Sequence, residues 1–586
     1  MILVPRERID HYLAQGWWSE QTLCDVFLDT AARQPDALAV ADPPNREAFC
    51  DGAPRRWTWA GLREQVGRWA ALLHQHGLRK DDVIVMQLPN SVEMHAVYLA
   101  CAMSGIVISP VPVQYRAHEL QHVLAMTGAR LAVTTRRVGA FAQAALWAGL
   151  KAQTATLEQV WALGDGLAAD WPDGVLPLQA AIDATAPWDE ATLRAHMRTI
   201  GLTAHDVLTI CWTSGTEAQP KGVPRNHNEW RIVGQSVIDA GQLRTGARLL
   251  IPFPFVNMAG VSTSLAAWLL VGGELHQHHP FDLDVFLQQL REDAMDYTVA
   301  APAVLGMLLK HTDKLHGIDR SRLKRVGSGG GPVAEWLIEQ CAEQLDIEVV
   351  NYFGSNEGAA LSSTPQDVPD RRQRAAYFPR VGVPGFDWSL SNARKVRTRL
   401  VDLDGGEDIT EPGRVGELRF AGPTIFSGYY RSPELTARAF DDRGFYRTGD
   451  LFEIAGDRGQ FYRFAGRHKD IVVRGGMNIS SEEVENLLLS HPKVREVAVV
   501  GWPDAVLGER VCAVVVTQPG QSLDLPELVD HLRRVEQVAA FKLPERLELV
   551  EALPRNPLGK VLKRELRTLI VRKAEENGAR ADAVRA

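Results

Sequence analysis

Two loops, each with a lysine among glycine, proline or hydroxyl residues, are the features of this sequence best suited to chemistry. The first runs over residues 213–221 after a β-branched run at 207–210, and the second over residues 553–560. Hydroxyl groups, flexible glycine backbone and a lysine suit a polyphosphate. Because Pro220 precedes Lys221 and Gly222 follows it, the first loop is not a Walker A loop. The two loops predict two parts of the chain that meet over one anionic ligand, with an ordinary surface turn as the alternative for the first loop alone.

Short β-branched runs alternate with helical stretches along most of the chain. Strands are predicted at 83–86, 207–210 and 347–350, and a helix at 333–345. The stretch from about 152 to 194 is too mixed to assign. This alternation favours α/β sheets with helices on their faces. After about Asp470 the same texture continues on a smaller scale. It predicts a small α/β domain that closes the chain, with a boundary between Gly466 and Asp470.

Composition sets the broad class of the protein. The chain has 586 residues, of which 45% are hydrophobic, so it can bury large cores and is expected to form two or more domains. The net charge of −8 argues against broad nucleic-acid binding. The six cysteines have neither metal-ligand spacing nor disulfide-like density, which fits a reducing compartment. The start of the chain does not resemble a signal peptide. The longest apolar stretch, 96–113, is interrupted by glycine and proline and predicts a buried helix followed by a strand. We therefore expect a cytoplasmic protein without a transmembrane helix.

Six motifs follow one another in a specific order. They lie at residues 213–221, 328–332, 352–357, 446–450, 466–470 and 554–560. By itself the glycine-rich run at 327–332 indicates only a turn, because a proline replaces the last glycine of a dinucleotide fingerprint. In this order, the motifs resemble those of the acyl-adenylate-forming superfamily, which comprises acyl- and aryl-CoA ligases, adenylation domains of peptide synthetases and beetle luciferases. The resemblance covers the chain from about Thr22 to Arg567.

The resemblance implies a fold and a domain division. It implies an α/β protein whose large N-terminal domain, residues 1–466, has α/β sheets and a β-barrel-like subdomain. A small, mobile α+β domain would follow at 467–586, with its hinge near Asp470. In the family this domain rotates between two half-reactions, and its face near Gly475 and Gly476 then admits a thiol.

The resemblance also implies ATP, Mg²⁺ and CoA as ligands and assigns roles to individual residues. Lys560 matches the lysine that contacts the reacting carboxylate and the α-phosphate, Lys221 is a second catalytic lysine, and Glu357 matches the Mg²⁺ ligand. Phe353 stands where the family usually has a tyrosine beside adenine, and Asp450 matches the residue that binds the ribose. The other nucleotide- and cofactor-binding positions are Thr213, Ser214, Gly215, Thr216, Gly330, Gly331, Asn356, Arg467, Gly475 and Gly476.

Two departures from the family pattern fall in this set. Glu217 and Ala218 replace the usual Thr-Gly of the phosphate loop, and a carboxylate beside a triphosphate repels it unless it points elsewhere or the loop shifts. Asn356 replaces the usual threonine before the Mg²⁺ glutamate, and asparagine can still donate and accept hydrogen bonds. Because of the first departure, a nucleotide-binding protein that no longer catalyses remains an alternative interpretation.

The substrate pocket is expected around Phe255, Val256, Asn257, Gly329 and Ser355. An asparagine at 257, where the family often has histidine, can bond a hydroxyl or carbonyl of the acid, or it can simply be a loop-bonding amide. The neighbourhood is apolar with few polar anchors. Segments 221–228 and 111–116 also resemble enzymes that activate aryl and alicyclic acids. The expected partner is a small aromatic, alicyclic or medium-chain carboxylic acid.

The thiol acceptor separates the remaining alternatives. Segment 470–479 is more similar to CoA ligases, which favours CoA over the phosphopantetheine arm of a carrier protein. Trp17 and Trp18 leave a homo-oligomer contact open, but packing onto the body of the protein is the favoured interpretation. His276, His278 and His279 match no metal motif, and we interpret them as the flank of a loop.

Overall fold

A computed structural model of the chain describes residues 1–166, 171–213, 219–330, 333–403, 405–467, 471–554, 561, 563 and 565–573. The chain divides into two compact units. The first comprises Met1–Val113, Val123–Trp212 and Gly222–Gly466, and the second comprises Gln114–His122, Thr213–Lys221 and Arg467–Ala586. The two short segments that join the second unit were not expected from the sequence.

The strands are, in chain order, β1 Leu38–Ala41, β2 Arg56–Thr58, β3 Val83–Gln87, β4 Val107–Pro110, β5 Leu131–Thr135, β6 Gln159–Leu163, β7 Val175–Pro177, β8 Val207–Thr213, β9 Lys221–Asn226, β10 Arg248–Ile251, β11 Glu274–Gln277, β12 Tyr297–Ala300, β13 Arg325–Gly329, β14 Glu348–Gly354, β15 Ala360–Ser363, β16 Tyr377–Pro379, β17 Arg397–Val401, β18 Val415–Ala421, β19 Tyr446–Ala455, β20 Phe461–Arg467, β21 Ile471–Arg474, β22 Met477–Ser480, β23 Val494–Asp504, β24 Gly508–Thr517 and β25 Arg546–Leu549.

The helices are α1 Arg6–Ala14, α2 Leu23–Arg33, α3 Arg46–Phe49, α4 Trp59–Gln75, α5 Val92–Met103, α6 Ala117–Thr127, α7 Gln143–Gln153, α8 Leu178–Ala184, α9 Glu190–Thr199, α10 His227–Gly241, α11 Met258–Val261, α12 Trp268–Val271, α13 Leu283–Glu292, α14 Pro302–Lys310, α15 Glu335–Leu345, α16 Arg371–Arg374, α17 Pro433–Ala439, α18 Ser481–Leu488 and α19 Leu525–Arg534. A π-helical turn, Ser262–Ala267, joins α11 to α12.

Three sheets organise the first unit. The first sheet has the order β7-β6-β5-β3-β4-β8-β9, and the second sheet has the order β15-β14-β13-β12-β10-β11-β1-β2. In the second sheet the pairs at both ends are antiparallel and the pairs between them are parallel. The third, β16-β20-β19-β18-β17, has antiparallel pairs and corresponds to the predicted barrel-like subdomain. Parallel strands with intervening helices confirm the predicted α/β class.

The apolar stretch at 96–113 is buried in the first unit. Every residue of α5 is buried, and the chain then enters β4 within the parallel sheet. No helix in the described part of the chain is long and apolar enough to span a bilayer. Trp18 is buried and donates its indole N–H to the carbonyl of Pro423, so it packs onto the body of the first unit.

The second unit contains a sheet of order β22-β21-β24-β23, with β25 added beside β24. Its longest pairing joins β23 to β24 in antiparallel register from Val494 opposite Thr517 to Asp504 opposite Gly508. Helices α18 and α19 contribute Val484, Leu488, Leu528 and Leu532 to the core of this sheet. Burial of these apolar side chains contributes to the stability of the unit.

Candidate functional site

The predicted pocket residues of the first unit come from neighbouring strands of the second sheet. Gly329 ends β13 and pairs with Tyr352 of β14, Ser355 follows β14 directly, and Phe255 lies shortly after β10. Because β10, β12, β13 and β14 are parallel, their carboxyl ends lie at one edge of the sheet. Ligands of open α/β sheets bind in the crevice at this edge.

Glu357, the predicted Mg²⁺ ligand, is buried and held from the loop that follows β18. Tyr429 donates its hydroxyl to Glu357 Oε1 at 2.9 Å, and Phe426 donates its N–H to the Glu357 carbonyl at 2.9 Å. The next residue, Gly358, has φ +99°, and a Cβ there would lie 1.8 Å from the carbonyl oxygen of Thr424. Only glycine fits this close approach, which brings the Glu357 backbone against the 424–429 segment.

Asp450 shares this environment. Burial and then the nearby Glu357 carboxylate raise the pKa of Tyr446 well above its ordinary value, with smaller contributions from Tyr429 and Asp450. The Asp450 N–H donates to the Thr448 hydroxyl at 3.0 Å, which fixes the backbone that carries the carboxylate. Two carboxylates and two tyrosines therefore form one buried polar cluster.

Arg225 is a member of the site that sequence reasoning missed as a functional residue. It is fully buried and donates to the carbonyls of Asn356 and Thr424, both at 2.9 Å, while its guanidinium lies 4.9 Å from the Trp230 ring. Burial lowers the pKa of Arg225, and the nearby Glu229 and Glu357 carboxylates oppose that shift. Arg225 thus ties the residue before Glu357 to the start of α10. Its only sequence signal was membership of the 221–228 segment.

Asn356 bonds backbone on both sides. Its Nδ2 donates to the Trp212 carbonyl at 3.0 Å, and its Oδ1 accepts from the Met258 N–H at 2.7 Å. The side chain therefore joins the end of β8 to the start of α11. Contact with a cofactor stays a prediction for this residue.

Asn257 caps the short helix α11. Its Oδ1 accepts from the Gly260 N–H at 3.2 Å, which is the loop-bonding role foreseen as an alternative. Val256 is buried, and Phe255 has no exposed surface. Phe353 packs edge-on against Phe452 with ring centres 5.2 Å apart and is partly exposed. Stacking of Phe353 on adenine stays a prediction.

The remaining predicted residues lie in the second unit or outside the described part of the chain, except for Gly330, which lies in the first unit. Thr213 ends β8, Lys221 begins β9, and Arg467 ends β20. Gly475 and Gly476 form the turn between β21 and β22 with φ +54° and +80°, and the Gly475 N–H donates to the Leu507 carbonyl at 2.8 Å. Gly330 has φ +79°. Ser214, Gly215, Thr216, Glu217, Ala218, Gly331, Asp470 and Lys560 lie outside the described residues.

No group of three or more His, Cys, Asp or Glu side chains that could hold a metal ion occurs among the described residues. His276 lies near the end of β11, between the carboxylates of Glu274 and Asp293, and His278 and His279 follow that strand, so the run flanks a loop as interpreted. All six cysteines are buried and free.

The sequence matches two domain families. Residues 27–430 match the AMP-binding enzyme family, and residues 483–560 match the AMP-binding enzyme C-terminal domain. The chain therefore belongs to the AMP-binding enzyme family, and the predicted acyl-adenylate-forming superfamily is confirmed.

Known proteins of similar length align with nearly the whole chain. A medium-chain fatty-acid–CoA ligase of Escherichia coli is 30% identical, over 97% of this chain and 93% of its own length. A salicylyl-CoA synthase / salicylate adenylyltransferase of a Streptomyces species is 28% identical, over 97% of this chain and 98% of its own. The solved structure of the amide bond synthetase McbA from Marinactinospora thermotolerans has 25% identity and a TM-score of 0.74, covering 94% of this chain and 99% of the other. The chain is thus an acyl-CoA ligase or an acid-adenylating ligase.

Proposed function

We propose that this chain is an AMP-forming carboxylic acid–CoA ligase for an aromatic, alicyclic or medium-chain acid. The observation that carries the proposal is the Glu357 carboxylate, buried and oriented by Tyr429 in the same cluster as Asp450. In a chain of the AMP-binding enzyme family, this cluster supports a site for ATP with Mg²⁺. The two-domain division at 466/467, the hinge at Asp470 and the cytoplasmic location belong to the same proposal.

The first half-reaction forms an acyl-adenylate. An oxygen of the acid carboxylate bonds to the α-phosphorus of ATP, and the bond from that phosphorus to the bridging oxygen breaks to release pyrophosphate. Thr213, Ser214, Gly215, Thr216 and Lys221 would donate to the β- and γ-phosphate oxygens as charge builds on them. Asp450 and Arg467 would hold the ribose, and Phe353 the adenine.

Glu357 has the chemistry to hold Mg²⁺. Tyr429 occupies Oε1, and the carboxylate retains Oε2 as an oxygen ligand for a hard cation. One carboxylate suffices because Mg²⁺ in such sites takes its other ligands from substrate phosphates and water. Bound there, the ion would supply neutralisation of the triphosphate charge.

Lys560 is the proposed catalytic cation at the acid carboxylate and the α-phosphate. In the second half-reaction, the CoA thiolate attacks the acyl carbonyl, a thioester forms, and AMP leaves with the bonding electrons. Gly475 and Gly476 would line the thiol approach, after the C-terminal domain turns about Asp470. The pocket wall for the acid would come from Val256, Asn257, Gly329 and Ser355.

A second candidate is a stand-alone adenylating enzyme that loads a carrier protein. The Streptomyces relative, named both as a CoA synthase and as an adenylyltransferase, supports either acceptor. A non-catalytic nucleotide-binding homologue is the remaining alternative, motivated by Glu217 and Ala218. The oligomeric state stays open in each case.

The test supplies purified protein with ATP, Mg²⁺ and a panel of benzoates, alicyclic acids and C4 to C12 fatty acids, with CoA or a phosphopantetheinylated carrier as acceptor. We expect AMP and acyl-CoA from one acid class. AMP together with a thioester formed only on the carrier would favour the second candidate over a CoA ligase. Absence of acid-dependent pyrophosphate exchange would support the non-catalytic alternative.

Lys560→Ala tests the catalytic assignment within the same assay. We expect adenylate formation to fall about 100-fold or more, because a charge that meets the transition state is lost. Lys563→Ala is the matched control, since Lys563 lies three residues away and its ammonium pairs with Glu485 at 2.6 Å. Equal rates for Lys560→Ala and the wild type would remove Lys560 from the mechanism.

A further inference from the structure

Residues 253–258, here called the wall segment, connect the end of β10 to the start of α11 and include the predicted pocket residues Phe255, Val256 and Asn257. A connection outside strands and helices needs other partners for its backbone N–H and C=O groups when it is buried. In this chain, those partners are side chains from remote parts of the first unit.

Asn90 bonds the wall segment with both ends of its amide. Its Nδ2 donates to the Phe253 carbonyl at 2.8 Å, and its Oδ1 accepts from the Phe255 N–H at 3.2 Å. A donor and an acceptor on one planar amide can satisfy a C=O and an N–H of the same short segment at once. The same Nδ2 lies 3.4 Å from the His278 carbonyl, which links the segment to the end of β11.

Tyr98 of α5 completes the attachment. Its hydroxyl donates to the Phe255 carbonyl at 2.9 Å, and its ring stacks on Phe255 with centroids 4.2 Å apart. His95, one helical turn earlier, stacks on Phe255 at 4.9 Å. Asn90 is 2% exposed, and Tyr98 and Phe255 are 0% exposed, so water cannot replace these bonds.

The far end of the wall segment is held from the opposite direction. The Met258 N–H donates to Asn356 Oδ1 at 2.7 Å, and a Cβ on Gly260 would lie 2.0 Å from the Pro254 carbonyl. With both ends bonded and the Phe255 ring enclosed, Val256 and Asn257 have little freedom to change position.

We propose that Asn90 and Tyr98 are positioning residues for the carboxylic acid, because they fix the wall segment that carries Val256 and Asn257. This inference rests on the proposed function. Neither residue belongs to the nucleotide motifs, so their loss affects acid binding and leaves ATP binding unchanged. Both act on the same short backbone, so their effects on acid binding are not additive.

The experiment compares Asn90→Ala, Tyr98→Phe and the double variant with the wild type. Tyr98→Phe keeps the stacked ring and removes only the O–H donor. The matched control is Tyr462→Phe, since Tyr462 is a buried tyrosine whose hydroxyl lies 3.0 Å from Thr398 Oγ1 in the antiparallel sheet. Two readouts are used: hydrogen exchange of peptides that cover 250–260, and separate KM values for acid and ATP in pyrophosphate exchange.

We expect faster hydrogen exchange over 250–260 in all three variants. The KM for the acid should rise roughly five- to tenfold, while the KM for ATP stays within about twofold of the wild-type value. The control variant should match the wild type in both readouts. Unchanged exchange over 250–260 would overturn the attachment itself. Faster exchange with an unchanged acid KM, or with acid and ATP KM rising together, would overturn the role in acid binding. If the wild type activates no acid but hydrogen exchange over 250–260 still responds to the variants, the proposed function is refuted, and with it the role assigned to Asn90 and Tyr98.

Discussion

The Glu357 carboxylate is oriented by hydrogen bonds because the loop that carries it is buried against the 424–429 segment. Tyr429 holds one oxygen, the Phe426 N–H holds the backbone, and Gly358 permits the close approach. At the residue scale, the site therefore depends on residues such as Tyr429, which contacts the predicted Mg²⁺ ligand Glu357 and has no assigned contact with substrate.

Tyr429→Phe tests this dependence. Removing the hydroxyl leaves Glu357 free to rotate, and loss of such a supporting hydrogen bond typically weakens metal binding by about tenfold or more. We expect the Mg²⁺ concentration for half-maximal adenylate formation to rise roughly tenfold, measured at saturating ATP and acid. Tyr462→Phe should leave the Mg²⁺ dependence unchanged. The same dependence in Tyr429→Phe and the wild type would argue against Glu357 as the Mg²⁺ ligand.

At the element scale, β11 and the end of α13 hold a buried imidazole between two carboxylates. His276 Nε2 lies 3.4 Å from Glu274 Oε2, and Nδ1 lies 3.3 Å from Asp293 Oδ2. Burial disfavours the imidazolium, but the hydrogen bonds to Asp293 and Glu274 outweigh it and raise the pKa of His276. Arg56 and Arg248 pair with the same carboxylates at 3.2 and 3.3 Å, and Arg56 partly opposes the shift.

A raised pKa in the folded state gives a signed prediction. The stabilisation that protonated His276 provides is fully present below the ordinary histidine pKa of about 6.5. It is lost as pH rises through the higher pKa of His276 in the folded protein. We expect this contribution to Tm to fall as pH rises from about 6 to 8, and His276→Gln to flatten that dependence. The measurement is Tm against pH for both proteins in matched buffers. Parallel curves for the two proteins would mean that His276 is not the titrating group.

At the scale of the whole molecule, residues far apart in sequence form the interior of one unit. Glu119 Oε1 accepts from the Ala539 N–H at 3.1 Å and lies 3.5 Å from Lys542 Nζ, while Oε2 accepts from the Arg116 N–H at 2.9 Å. The side chains of Glu119 and Lys542 are 0% and 2% exposed. This buried ion pair attaches segment Gln114–His122 to the short 3-10 turn between α19 and β25, which explains why that segment belongs to the second unit.

Lys542→Met tests the importance of this pair. A buried carboxylate without its cation is costly, so we expect destabilisation of about 3 kcal/mol, measured by thermal unfolding followed by calorimetry. Adding Glu119→Gln should recover part of the loss, since the uncompensated charge disappears. Arg534→Ala removes an exposed pair with Asp530 and should change stability by less than about 1 kcal/mol. A Lys542→Met protein as stable as the wild type would contradict an energetic role for the pair.

The sequence predicted local structure well where a pattern repeats over neighbouring residues. The buried helix and strand at 96–113 are α5 and β4, and the helix predicted at 333–345 is α15, which begins two residues later at Glu335. The stretch at 152–194 was too mixed to interpret and holds β6, β7, α8 and the start of α9. Its short elements give too little periodicity to read without their neighbours.

Sequence by itself determined the family, the α/β class and the order of the chemical motifs, because these are written in residues that are close together along the chain. Only the tertiary structure revealed Arg225, Asn90, Tyr98 and Tyr429 as supports of the site. Each acts through a hydrogen bond to a segment that is remote in sequence; Asn90 and Phe255, for example, are 165 positions apart. Such a bond leaves no local pattern, since it depends on which backbone groups folding leaves buried without a neighbouring strand or helix to satisfy them.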